Sequence, residues 1–220
     1  IDWWLADLAG DRTAADAATL IDVALEYDSL GLAADALRVL TAAAELERRH
    51  PVEGEGRQLP LILLHQARQR LILGERAVAA DLIRTADATD RRTCFPGRLA
   101  DALMLTELQR FAPDVPVVSA LLGHWLYSRG RVEDAVAAWQ VADDDPVALR
   151  NRGVAAYNHC GDPREAVACY DRALALAPDD ARLWYERDQL AKQLGESLEE
   201  RFARLEARFG VVASRDDLSV

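Results

Sequence analysis

The chain has 220 residues, half of them hydrophobic, and carries a formal net charge of −11 at pH 7. So acidic a balance excludes general nucleic-acid binding, which needs Lys and Arg clustered against phosphates, and no apolar run is long enough for a membrane span. Ala, Leu, Arg and Glu dominate and no stretch alternates long enough to predict a strand, so the fold expected is all-α.

Lys192 is the single lysine, a codon signature of a GC-rich bacterial genome. Cys94, Cys160 and Cys169 are odd in number and lack a CxxC spacing, which predicts reduced, buried thiols and a cytoplasmic setting. No signal-peptide pattern opens the chain.

In chain order, Trp3 and Trp4 come first and either cap an array or belong to a further repeat. After them the organising feature is self-similarity. Gly31, Gly74, Gly130, Gly161 and Gly195 each follow a helical stretch, at spacings of 43, 56, 31 and 34 residues. Four residues before them stand Tyr27, Arg70, Leu126, Tyr157 and Ala191. Five residues after them stand Ala36, Ala79, Ala135, Ala166 and, breaking the series, Glu200. Four further on come Leu40, Ile83, Trp139, Tyr170 and, again deviating, Arg204, and three beyond those Ala43, Ala86, Ala142, Ala173 and Ala207.

Each register has a physical reason. The glycine takes the left-handed conformation that ends the first helix of a hairpin. The alanine sits where two helices cross and lets their axes approach. The large residue one turn later lies on the same face and fills the space beside the crossing. A hairpin that cannot bury its apolar stripe alone must stack on its neighbours.

The units predicted are 12–50, 58–88, 116–145, 146–178 and 180–210. An insertion, 89–115, separates the second from the third. It carries Cys94-Phe95-Pro96-Gly97-Arg98, then Leu99, Leu103, Leu105, Leu108 and Phe111, which predicts a turn and one extra amphipathic helix with Pro96 in its first turn. Asp145-Pro146 and Asp162-Pro163 predict helix N-caps followed by proline. Ser197 and Glu200 form a capping box, so a helix is expected there although the alanine crossing is lost. Arg215-Asp216-Asp217-Leu218 looks like the start of another unit.

The segment from Pro146 to Pro178, with Tyr157, Gly161, Ala166, Tyr170 and Ala173, resembles a tetratricopeptide repeat. So does the stretch from Pro116 to Ala142, with Leu122-Gly123, Leu126, Gly130, Ala135 and Trp139. The unit around Gly31 is a fair match, and the one around Gly74 departs at Arg70, where an aromatic is usual. The resemblance implies a right-handed α-solenoid of about five helical hairpins, with one extra helix in the insertion. It also implies that the first helix of each hairpin lines a concave groove where a protein or peptide partner docks. Carried over position by position, it places Arg68, His124, Tyr127, Asn151, Asn158, His159, Arg182, Tyr185, Gln189 and Lys192 in that groove, beside Ile21, Leu25, Asp28, Leu64, Leu71 and Ala120.

Arg68, Arg182 and Lys192 make this face less acidic than the whole molecule, which suggests a partner with some negative charge. The chaperone cofactors of the family clamp a C-terminal carboxylate with Lys and Asn on successive first helices. That set is incomplete here, since there is one lysine and Asn151 and Asn158 share one helix. The function expected is therefore that of a protein-interaction scaffold. The alternative is an accessory region of a larger bacterial enzyme acting on carbohydrate, from a weaker resemblance of the Cys-Phe-Pro stretch to arrays joined to a β-rich domain.

No catalytic residue, metal site or cofactor is expected. His50, His65, His124 and His159 lack an HExxH pairing or a carboxylate at ligand spacing. His124 and His159 fall on adjacent first helices and either share the groove or sit as satisfied structural histidines. Asp143-Asp144-Asp145 and Asp179-Asp180 lack the spaced ligands and central glycine of a calcium loop and are expected to cap helices. Cys160 and Cys169 are expected to be buried, and Trp125, Trp139 and Trp184 to fill the core. There is no glycine-rich phosphate loop and no GxSxG.

Overall fold

The structure, a computed structural model, describes residues 16–49 and 57–213. Trp3, Trp4, His50 and the stretch from Arg215 to Leu218 lie outside the described residues. Twelve helices and no strand are found among those described. They are α1 (Ala17–Ser29), α2 (Ala33–Arg49), α3 (Leu59–Ile72), α4 (Arg76–Asp87), α5 (Leu99–Phe111) and α6 (Pro116–Ser128), then α7 (Val132–Val141), α8 (Pro146–Asn158), α9 (Pro163–Leu176), α10 (Ala181–Gln193), α11 (Leu198–Glu206) and α12 (Phe209–Val212). Helices α1 and α2, α3 and α4, α6 and α7, and α8 and α9 pack as hairpins, and α10 with α11 forms a looser fifth. Helix α5 has no hairpin partner and packs against α3 and α6.

The turns explain why the hairpins close where they do. Gly31, Gly74, Gly130, Gly161 and Gly195 all have positive φ, between 61° and 81°, and no non-glycine residue among those described does. In four of the five turns the N–H after the glycine donates to the carbonyl four residues before it: Leu32 to Tyr27, Glu75 to Arg70, Arg131 to Leu126 and Glu196 to Ala191. That is the hydrogen bond of a Schellman ending. The fourth turn is one residue longer, with the Asp162 N–H donating to the Ala156 carbonyl at 2.9 Å. Helix starts are set by side-chain caps, as expected. Asp16, Asp145, Asp162 and Asp180 accept backbone N–H groups of α1, α8, α9 and α10, and Ser197 and Glu200 form the capping box of α11.

Packing follows the register. Ala36, Ala79, Ala135 and Ala166 are fully buried, and so are Leu40, Ile83 and Trp139, with Tyr170 nearly so. The first helices answer each large residue with a small one: Ala24 and Ala67 share a core with Leu40 and Ile83 respectively. In the next two hairpins the small residue is glycine. A Cβ on Gly123 would lie 2.4 Å from Trp139 Nε1, and one on Gly153 would lie 3.0 Å from the Tyr170 ring. The fifth hairpin has Asp188 at that position, paired with Arg201, while Arg204 pairs with Glu196. Ala207 is exposed there, so charge replaces the alanine crossing.

Four expectations need correction. Pro96 does not open the extra helix; α5 starts at Leu99 with Arg98 as N-cap, because the Asp101 carboxylate accepts the Gly97 and Arg98 N–H groups and turns the chain there. Its buried face is Asp101, Ala102, Met104, Leu105 and Leu108, whereas Leu99 and Leu103 are exposed. Cys160 is exposed, since it sits in the turn beyond the end of α8, while Cys94 and Cys169 are buried. Trp139 is fully buried, but Trp125 and Trp184 are only half-buried.

The two kinds of glycine should respond differently to alanine. Gly130→Ala meets open space and bears only the left-handed backbone, so about 1–2 kcal/mol is lost. Gly123→Ala drives a methyl into Trp139 and should cost about 1–3 kcal/mol, but little when made in a Trp139→Leu background, where the ring is gone. Urea unfolding of these variants and of Trp139→Leu alone checks both statements.

Candidate partner-binding groove

The first helices of the hairpins are α1, α3, α6, α8 and α10, and the insertion packs on the earlier ones: α5 lies against α3 and α6. The Asp101 carboxylate of α5 accepts from His65 Nε2 of α3 at 2.9 Å, both groups being buried. Burial pushes that carboxyl up, but the bonds from His65 and from the Arg98 N–H outweigh it and hold it below the usual range. Arg68 of α3 bridges Asp28 of α1 at 2.7 Å and Glu107 of α5 at 2.6 Å. Arg98 reaches back to Asp22 and to the Ala18 carbonyl of α1, and Arg129 donates to the Gly97 carbonyl. Phe95 lies against His124, with ring centroids 5.5 Å apart.

The consequence for the sequence-predicted groove is direct. Ile21, Leu64 and Ala120 are fully buried, and Arg68 is neutralised by two carboxylates instead of facing outward as a cation. His124 is a buried structural histidine. Its Nδ1 lies 3.1 Å from Trp139 Nε1 and 3.0 Å from Asn151 Nδ2. The indole N–H only donates, so Nδ1 accepts and the ring proton sits on Nε2. Burial pushes this imidazole down to about 4, which keeps it neutral near pH 7. Tyr127 and His159 meet at 3.1 Å on the rim, and Tyr127 also stacks on Trp139.

The face stays open over α8 and α10. Two pockets lie in series along these helices. At their N-terminal turns a pocket of about 350 Å³ is lined by Val147, Arg150, Asp180 and Arg182 together with Arg57, Asp90, Arg92, Thr93 and Phe95 from the preceding segments. At later turns a pocket of about 220 Å³ is lined mainly by apolar surface of Val154, Tyr157, Tyr170 and Leu190, with Asn158 and Gln189 at its edge. Between them stands Glu186. It accepts both prongs of Arg150 at 2.6 Å, Arg182 Nε at 2.9 Å and the Tyr170 hydroxyl at 3.0 Å. Burial pushes the Glu186 carboxyl up, yet the Arg150 guanidinium brings it net below its usual range.

Of the predicted residues, then, Asn158, Gln189 and Arg182 line the two pockets, and Asn151 is drawn to His124. Tyr185 is half-buried on α10, Lys192 is exposed at its last turn, and His159 pairs with Tyr127. Two organising residues escaped the sequence reading. Asp101 had a signal in an acidic residue within the apolar first half of its helix, and Glu186 in its place four residues after Arg182. Among the described residues no group of His, Cys, Asp and Glu is arranged to hold a metal ion, and no helix is long and apolar enough to cross a membrane.

Residues 146–187, which span α8, α9 and half of α10, match the family model of the tetratricopeptide repeat, and that segment is such a repeat. Among solved structures, the chain is similar to MamA, residues 41 to the end, from Desulfovibrio magneticus RS-1, at 13% identity over 93% of this chain and 97% of that one, with a TM-score of 0.44. It is also similar to a thermophilic tetratricopeptide-repeat protein of Thermus thermophilus, at 16% identity over 92% and 93% of the two chains, with a TM-score of 0.43. At these scores neither likeness bears on what this chain binds.

Two outcomes follow for the groove's supports. Asp101→Ala strands His65 and two backbone N–H groups, and should cost about 2–4 kcal/mol in urea unfolding while raising amide exchange along α5. His124 is depressed in the folded state from 6.5 to about 4, so protonation favours the unfolded chain. Its contribution is full above pH 6.5 and shrinks as pH falls towards 4, by about 3 kcal/mol at most. Urea titrations across that range should show this slope in the native protein and its loss in His124→Gln.

Proposed function

We propose that this chain is a protein-interaction scaffold that holds an extended segment of a partner in the open stretch of groove over α8 and α10. The observation that carries the reading is the apolar pocket of about 220 Å³ between these helices, edged by Asn158 and Gln189. Its lining from Gly153 to Glu186 belongs to the segment that matches the repeat family, with Gln189, Leu190 and Gln193 following on the same helix α10, and it is a mainly apolar site with a few polar groups. An extended chain has unpaired backbone N–H and C=O groups, and side-chain amides supply both donors and acceptors to meet them. The partner is held by the first helices of the fourth and fifth hairpins, because α5 packs on α3 and α6 and Arg98 at its start engages α1.

Peptides selected from a random library on the native protein test this. Tyr157→Ala/Asn158→Ala/Gln189→Ala should weaken their binding at least tenfold by fluorescence anisotropy, with helicity and melting temperature unchanged because all three side chains lie at the pocket surface. Equal binding by the native protein and the triple variant would place the partner elsewhere and sink the reading.

A further inference from the structure

The charged pocket is more than a surface ion-pair network. Arg57, Arg92, Arg150 and Arg182 line it, against Asp90 and Asp180 in the lining and Glu186 just behind. Four guanidinium groups thus meet three carboxylates, on a chain that is otherwise strongly acidic. The carboxylates are also committed. Asp180 caps α10 through the Arg182 and Leu183 N–H groups. Asp90 holds Arg92 through two bonds of 3.0 Å, and Glu186 holds Arg150.

The arginines keep donors to spare. Arg57 Nη1 approaches Asp90 at 3.6 Å, beyond hydrogen-bond distance, and Arg182 engages Glu186 through Nε, so neither pair uses up the terminal N–H groups. The side chains of Arg57, Arg92 and Arg182 are 43%, 64% and 58% exposed, so an entering group can reach them. A further polar atom in the lining is unused: the Thr93 hydroxyl is buried without a hydrogen-bond partner among the described residues. Three of the arginine and threonine groups, Arg57, Arg92 and Thr93, come from outside the repeat segment 146–187, so the pocket belongs to the insertion as much as to the array.

We infer that this pocket receives an acidic side chain of the same partner segment whose apolar residue fills the neighbouring pocket. The inference rests on the scaffold reading and deepens it. Planar guanidinium groups with free paired donors suit a carboxylate, which accepts them two at a time. The two pockets lie four to seven residues apart along α8, from Arg150 to Val154 and Tyr157. At a rise of about 1.5 Å per residue that is roughly 6–10 Å, the span of two or three residues of extended chain. The partner segment therefore carries Glu or Asp two or three positions from an aliphatic or aromatic residue.

The test uses a fluorescein-labelled peptide with a glutamate pair set two positions from a leucine pair, and the same peptide with glutamines. The native protein should bind the glutamate form at least tenfold more tightly. Arg57→Gln/Arg92→Gln should bind the two forms alike, while Arg131→Gln, an exposed arginine outside either pocket, keeps the preference. Succinate and inorganic phosphate at constant ionic strength should displace the peptide only at millimolar levels. Equal binding of both forms by the native protein, a preference kept in the double variant, or displacement by micromolar phosphate would each overturn the inference. Those results leave the scaffold reading standing as long as library-selected peptides still depend on Tyr157, Asn158 and Gln189. If that dependence is absent as well, both fall together.

Discussion

Everything in this fold depends on how closely the two helices of a hairpin approach, and one contact sets it. A large side chain on the second helix lies where the first helix has almost none: Trp139 over Gly123, Tyr170 over Gly153. Native packing leaves no room for one more carbon at the tighter of these sites, so the contact fixes both distance and rotation of the pair. Hairpins that share that geometry can stack one on the next. The left-handed glycines close the turns, but the small-against-large pairs decide what the turns bring together.

The insertion breaks the regularity of the stack. A regular array would offer a continuous face; here α5 lies against α3 and α6 and is fastened by a buried carboxylate, Asp101, that serves three donors at once. A buried charge so fully hydrogen-bonded specifies one arrangement more than it adds stability. The two pockets along α8 and α10 lie beyond the helices α5 packs on. The same loop that leads into α5 supplies Arg92 and Thr93 to one of them. Insertion and repeat together make the site.

Most of the architecture was legible in the sequence because its causes are local. A glycine that must take positive φ, an aspartate before a helical proline and an alanine every few turns all act within one hairpin, and each was found where expected. The failures share the opposite cause. Arg68 and His124 occupy groove positions by register, yet what covers them comes from residues 95 to 107, and register says nothing of that. Helix α5 misled in part for a related reason: it is clamped through Asp101, so of the expected stripe Leu105 and Leu108 are buried while Leu99 and Leu103 are exposed. Of the candidate site, Asn158, Gln189 and Arg182 were visible because they sit on uncovered helices.

The fifth hairpin departs from the others in the force that holds it. Where the two hairpins before it bury an aromatic on a glycine, it sets Arg201 on Asp188, Arg187 on Asp171 and Glu196, and Arg204 on Glu196. These pairs are built around enclosed charges: Arg187 and Asp188 are buried, and the Arg201 side chain that meets Asp188 is 16% exposed. Salt screens enclosed charges little, but removing one partner strands the other in a poorly hydrated place. An apolar joint loses stability in proportion to the carbons trimmed from it. The last joint of the array is therefore closer to all-or-none, tolerant of its medium and intolerant of losing either charge.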